Sequence, residues 1–132
     1  MLGFIVTHGH LGEELLETAQ AILGPQERMV VVSNTGHSHA SLTDAVVQAA
    51  GPALAIGEPA VVFVDLLAGS CGAVCRALAA RQPGLLLAGG VNLPMLLEFL
   101  HHRERVGRGE LRRRLVDRGR EAVSCVGWDD GP

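Results

Sequence analysis

Residues 2–24, LGFIVTHGHLGEELLETAQAILG, decide the fold. Leu2 to Val6 is a short, continuous apolar run of the kind that suits a strand buried on both faces. It breaks at Thr7-His8-Gly9-His10. Apolar residues then recur at helical spacing through Leu11, Leu15, Leu16, Ala19, Ile22 and Leu23, and Gly24-Pro25 closes the helix. A histidine therefore stands where a buried strand hands over to a helix. In open α/β sheets that carboxyl end is where ligands and chemistry gather, which makes His8 the leading candidate for the working residue.

The rest of the chain repeats the pattern. Arg28–Asn34 carries a Met-Val-Val-Val core and reads as a second strand, followed by the loop Thr35–His39 with Ser38 or His39 near a helix start. A helix is expected over Ala40–Ala50, ended by Gly51-Pro52. Ala60–Asp65, AVVFVD, is the third strand, and Ser70 reads as the N-cap of a helix over Cys71–Arg81. Leu85–Ala88 is a fourth strand, which runs through Gly89-Gly90-Val91-Asn92 to a helix over Met95–His102, with Pro94 in its first turn and Asn92 as a possible cap. A last helix over Gly109–Arg120 and a short final strand over Ala122–Val126 complete the chain, with residues 126–132 as a tail.

Strands alternating with helices at this spacing predict a single α/β domain over residues 1–132. The expected architecture is a small doubly wound, mostly parallel sheet of four to five strands with helices on both faces. Flavodoxin-like order 2-1-3-4 puts the ends of the first and third strands side by side at the switch point, so His8 and Asp65 become neighbours.

Composition narrows the function. Of 132 residues 48% are hydrophobic and 19% charged, which excludes a disordered chain. The apolar runs are of strand length, well short of the ~20 residues of a membrane span, and no basic segment precedes the first one. A cytoplasmic protein with no direct membrane insertion is expected. Net charge is −3 and there is no tyrosine, so a nucleic-acid partner is not expected. Every basic residue is an arginine, and eight of the eleven lie in Arg103–Arg120, a segment that reads as a solvated helix face or as a docking strip for an acidic partner. Cys71, Cys75 and Cys125 read as reduced thiols, the first two as small buried side chains.

Chemistry follows from the sheet edge. An aspartate that accepts from one nitrogen of His8 fixes its tautomer and leaves the other nitrogen's lone pair outward. Gly9, Gly69, Ser70, Gly89 and Gly90 surround that position, and helix N-termini beside them favour anions. A histidine, an aspartate, a hydroxyl and N–H donors around one hollow suit a phosphoryl group on histidine.

A second class of function rests on three histidine pairs, His8/His10, His37/His39 and His101/His102, which would suit a metal-binding α/β protein of small-chelatase type. No carboxylate or cysteine stands at a recognisable zinc spacing from them, so no metal ligands are assigned. A response-regulator receiver needs an acidic pair after the first strand and a lysine after the last, and His8-Gly9-His10-Leu11-Gly12 does not supply a dinucleotide fingerprint.

The residues also carry a resemblance. Ile5-Val6-Thr7-His8-Gly9 with Leu15-Leu16, Val62-Phe63-Val64-Asp65, Gly69-Ser70 and Gly90-Val91-Asn92-Leu93-Pro94-Met95-Leu96 resemble the mannose-family IIA component of the bacterial phosphoenolpyruvate-dependent sugar phosphotransferase system (PTS). The likeness runs from Phe4 to about Arg120. It implies that His8 takes a phosphoryl group from the phosphocarrier HPr and passes it to a separate IIB component, for sugar uptake or regulation. It further implies that Asp65 orients His8, and that Gly9, Gly69, Ser70 and Asn92 hold the phosphoryl oxygens. The family's homodimeric habit makes Ala122–Val126 the candidate for a strand packed on the partner, and no cofactor is implied. Two departures stand out: Ala68-Gly69-Ser70-Cys71 replaces a common Gly-Gly-Ser-Pro turn, and His10 is a second histidine beside the first.

Overall fold

The computed structural model describes residues 1–128 and 131. Its elements are β1 (Leu2–Thr7), α1 (Leu11–Leu23), β2 (Met29–Ser33), α2 (His39–Ala55), β3 (Ala60–Val64), α3 (Ser70–Arg81), β4 (Leu85–Gly89), α4 (Leu93–His102) and α5 (Arg108–Glu121). The four strands form one all-parallel sheet in the order β2-β1-β3-β4. Parallel neighbours need a crossover between them, and α1, α2 and α3 supply these.

Alternation along the central strands builds two cores. Leu2, Phe4 and Val6 of β1 join Ala60, Val62 and Val64 of β3 on the face covered by α2 and α3, where Leu42, Val46, Ala50, Val74, Cys71 and Cys75 pack. Ile5, Val61 and Phe63 point to the other face, against Ala19, Met95, Leu96, Phe99, Leu111 and Leu115 of α1, α4 and α5. Phe63 and Phe99 meet edge to face with ring centroids 5.1 Å apart. With every residue of β1 and β3 buried, the ends of these strands are held on both sides and make a rigid platform.

The structure corrects three sequence expectations. The helix expected to stop at Gly51-Pro52 continues through them to Ala55. Pro52 removes one helical N–H, yet Ala50 and Ala53 on either side are both buried against the sheet, and that packing carries the helix past the break. The stop comes at Gly57, whose φ of +70° suits glycine and whose N–H returns to the Leu54 carbonyl. Ser70 is not the N-cap of α3: Gly69 holds that position with extended backbone and Ser70 is the first helical residue. Residues 123–126, expected as part of a final strand, have no regular structure, and Ala122 is the C-cap of α5. Of the 126–132 tail, residues 129, 130 and 132 lie outside the described residues.

The arginine-rich segment has internal partners. Arg103 donates to the carbonyls of Met1, Glu27 and Arg28 and lies over the Phe99 ring, tying α4 to the start of β1 and the approach to β2. Arg114 and Arg118 of α5 pair with Glu98 of α4, a carboxylate with only 10% of its side chain exposed.

Candidate functional site

The site lies at the carboxyl ends of β1 and β3. Strand β1 ends at Thr7, whose buried hydroxyl accepts from the Gly12 N–H at 2.7 Å and pins the start of α1 against the strand. Between them His8 turns out of the sheet. Asp65, the residue after β3, is its neighbour because β1 pairs with β3 through Val6 and Val64. Asp65 Oδ2 accepts from the His8 backbone N–H at 3.0 Å and lies 2.9 Å from His8 Nδ1, while its Oδ1 accepts from the Leu66 N–H at 2.9 Å. A carboxylate only accepts, so Nδ1 carries the proton and the neutral ring presents the Nε2 lone pair. Forty per cent of the His8 side chain is exposed against 11% of Asp65, so the oriented ring reaches solvent while its orienter is mostly covered.

Burial pushes the Asp65 carboxyl up, but hydrogen bonds from the His8 backbone, the His8 ring and the Leu66 N–H outweigh it and hold the group below the usual carboxylate range. The aspartate is therefore a charged, hydrogen-bonded partner for an imidazole that gains positive character.

Around this pair the expected phosphoryl contacts divide. Ser70 opens α3, and its hydroxyl stands 3.5 Å from His8 Nε2, a long contact on the side of the ring away from Asp65. The opening N–H groups of a helix lack intrahelical acceptors, and Ser70 and Cys71 hold such positions in α3. Gly69 packs against the ring, where an added Cβ would stand 3.1 Å from Cε1, but its N–H goes to the Leu66 carbonyl. Gly9 adopts φ +55°, which suits glycine, and donates its N–H to Asn34 Oδ1 at 3.1 Å. Asn92 caps α4, accepting from the Met95 N–H at 3.0 Å, and its amide donates to the Gly119 carbonyl at 3.0 Å. The donors expected from Gly9, Gly69 and Asn92 are thus committed within the protein, and Ser70 alone of the four places a side-chain hydroxyl beside Nε2.

Sequence reasoning missed Ser33 and Asn34. Asn34 holds the Gly9 N–H, and the Ser33 hydroxyl donates to the Gly9 carbonyl at 2.7 Å. Together they clamp the backbone just after His8 from the end of β2. Their position at a strand end beside β1 was the available signal.

Among the described residues the three histidine pairs do not assemble into one ligand group, although the His101 and His102 rings meet edge to face with centroids 4.7 Å apart. His10 lies beside Glu13, His37 beside Ser41, His101 beside Arg105 and His102 beside Glu98. Among the described residues a single group of three metal-ligating side chains comes together, and it is a different one: His8, Asp65 and Cys71. The Cys71 thiol is pushed up, first by burial and then by the Asp65 charge.

A four-stranded flavodoxin-like sheet with a histidine hydrogen-bonded to an aspartate at its switch point defines a small α/β protein of the doubly wound class. The profile of the PTS system fructose IIA component family, EIIA-man, matches residues 4–116, and the chain belongs to this mannose-type family of PTS IIA components. That membership supports a phosphocarrier role in a sugar phosphotransferase system. Among solved structures, the mannose/sorbose-specific IIA subunit from Enterococcus faecalis is 27% identical, with a TM-score of 0.80 over 99% of this chain and 98% of that one. An EIIA component from Streptococcus agalactiae gives a TM-score of 0.84 at 23% identity, covering 94% and 95%. The IIA protein associated with the fucose utilization operon of Streptococcus pneumoniae gives 0.84 at 17%, covering 94% and 91%, and like the former it supports the fold alone. No curated protein matches the chain in sequence. No helix among the described residues is long and apolar enough to cross a membrane.

Proposed function

We propose that His8 is the phosphoryl carrier of this IIA protein, loaded by phospho-HPr and discharged to a separate IIB component for sugar uptake or regulation. The observation that carries this is the 2.9 Å contact between Asp65 Oδ2 and His8 Nδ1, a pairing that leaves the Nε2 lone pair towards solvent and Ser70. In the loading step the Nε2–P bond forms as the P–N bond to the donor's histidine breaks, in line. The donor nitrogen leaves with its electron pair, and the Nδ1 proton stays in the hydrogen bond to Asp65. Little covalent work falls to the protein, which positions the nitrogen and offsets charge on the phosphoryl oxygens. The Ser70 hydroxyl and the N-terminal N–H groups of α3 serve that second part. Asp65 stabilises the ring as it gains charge. Gly9 and Gly69 shape the cradle around the ring, and Asn92 sets the start of α4. The working form is a homodimer.

The test is incubation with phosphoenolpyruvate, enzyme I and HPr, followed by intact mass in the wild type, His8→Ala and His10→Ala. Acid-labile, alkali-stable phosphate is expected in the wild type and His10→Ala and absent from His8→Ala. Label lost only in His10→Ala would move the carrier to that residue. An unlabelled wild type beside phosphorylated HPr would overturn the reading.

A further inference from the structure

Phosphoryl transfer employs His8, Asp65 and Ser70 and leaves the neighbouring Cys71 thiol without a part. A ring nitrogen of His8, a carboxylate oxygen of Asp65 and Cys71 Sγ all lie within 4.8 Å of one another. They come from three segments, the ends of β1 and β3 and the first turn of α3. We propose that this nitrogen, oxygen and sulfur trio binds a thiophilic divalent cation of the zinc class, which excludes the phosphoryl group from His8.

The donor set is the first argument. Imidazole, carboxylate and thiolate together are a zinc combination, and the sulfur selects against magnesium and calcium. Two anionic ligands also neutralise the charge of a divalent ion beside the sheet. Geometry is the second argument. Ligand atoms about 2.0–2.3 Å from a tetrahedral ion stand roughly 3.3–3.8 Å apart, so closing the trio takes about an ångström of side-chain movement. The Asp65 end is already fixed by the Leu66 and His8 N–H groups, and the half-exposed His8 ring leaves a path from solvent. Three protein ligands leave a fourth position for water. Binding exchanges the Cys71 thiol proton for the ion and releases it to solvent. If the ion takes Nδ1, that nitrogen's proton moves to Nε2 and removes the nucleophilic lone pair. If it takes Nε2, the lone pair is occupied directly. Cation and phosphoryl group are mutually exclusive in either arrangement.

The site is tested with cobalt as the spectroscopic stand-in and zinc as competitor, on the full chain carrying Cys125→Ser to remove the exposed thiol. One equivalent of cobalt should give a thiolate-to-cobalt charge-transfer band that zinc abolishes. Cys71→Ser and Cys71→Ala should lose the band and weaken zinc binding by more than about tenfold, with folding checked by circular dichroism. Because a buried cysteine is being replaced, His8→Ala provides the second test: it must weaken binding too, whereas His10→Ala must not. No thiolate band in the parent, or equal zinc affinity in parent and His8→Ala, would overturn the site. The competition arm, which rests on the carrier reading, compares labelling by phospho-HPr with and without zinc. The labelling ratio should fall in the parent and stay near unity in Cys71→Ser. An equal fall in both would overturn the exclusion. A metal-free parent that takes no label would overturn the carrier reading, while the cobalt band still decides the site.

Discussion

Asp65 does two things with one carboxylate: Oδ2 orients the ring and the backbone of His8, and Oδ1 secures the turn that leads to α3. Asp65→Asn keeps an acceptor but puts an amide where the ring needs one, so phosphoryl uptake should fall by roughly 10²-fold or more in single-turnover labelling. The same substitution has a pH signature. The folded carboxyl is held below its ordinary range, so its charge stabilises the fold fully above about pH 4. That contribution is lost as pH falls through the lowered folded value. Urea midpoints of the wild type and Asp65→Asn should therefore differ most near neutrality and converge in acid, and a constant gap would refute the assignment. Cysteine reactivity should divide as sharply. Burial, then the neighbouring Cys71, pushes the Cys75 thiol up to about 12, whereas Cys125 is exposed. An aromatic disulfide reagent should titrate one thiol quickly in the native, metal-free protein and three in denaturant. The His8–Asp65 pair was legible because strand order alone makes the ends of β1 and β3 adjacent. The clamp by Ser33 and Asn34 was legible only as a position at the end of β2 beside β1, since its partners are backbone groups of Gly9 that leave no pattern in side-chain chemistry.

Helix termini separate structural residues from site residues. Asn92 and Ser70 both stand at the start of a helix after a strand and look equivalent in sequence. In the fold Asn92 is the cap of α4 and also binds the Gly119 carbonyl of α5, so it locks two helices together. Asn92→Ala should cost about 1 kcal/mol for the cap, and more for the lost inter-helix bond, measured by urea unfolding. Ser70 sits one position inside α3, where its hydroxyl has no capping duty and faces Nε2. Ser70→Ala should change stability by no more than about 0.5 kcal/mol while slowing phosphoryl uptake by roughly tenfold or more. A substitution that destabilised the protein without slowing uptake would return Ser70 to a purely structural part. Capping preference covers both residues, so the sequence left them undivided. A displacement of one residue in the start of α3, with Gly69 rather than Ser70 at the N-cap, decides between them. The overrun of α2 through Gly51-Pro52 has the same origin: local breaker chemistry was legible, whereas the burial of Ala50 and Ala53 that outweighs it belongs to tertiary packing.

At the scale of the molecule the parallel sheet has two open edges, β2 and β4. The approach to β2 is clasped by Arg103 on the Glu27 and Arg28 carbonyls. Strand β4 is Leu85-Leu86-Leu87-Ala88-Gly89, an apolar edge with neither charge nor proline to discourage pairing. The segment that follows α5 is apolar in a complementary way. Val123 is 77% exposed, and Val126 and Trp128 are each 99% exposed. In the homodimer proposed above, the β4 edge of one copy and the exposed apolar segment of the other would form an intermolecular β contact, each satisfying the other's backbone groups. Residues 123–126 have no strand partner within one copy among the described residues, and the proposed contact would supply one. If the proposed homodimer is held by this contact, the wild type should sediment as a dimer at micromolar concentration and the chain lacking residues 123–132 as a monomer. The secondary structure should persist, because both cores are built from residues 1–115. Leu86→Lys should give the same monomer from the other side of the contact, with circular dichroism separating this from damage to the second core, against which Leu86 packs. If both variants sediment as the wild type does, the β4 edge and the C-terminal segment are not the dimer contact.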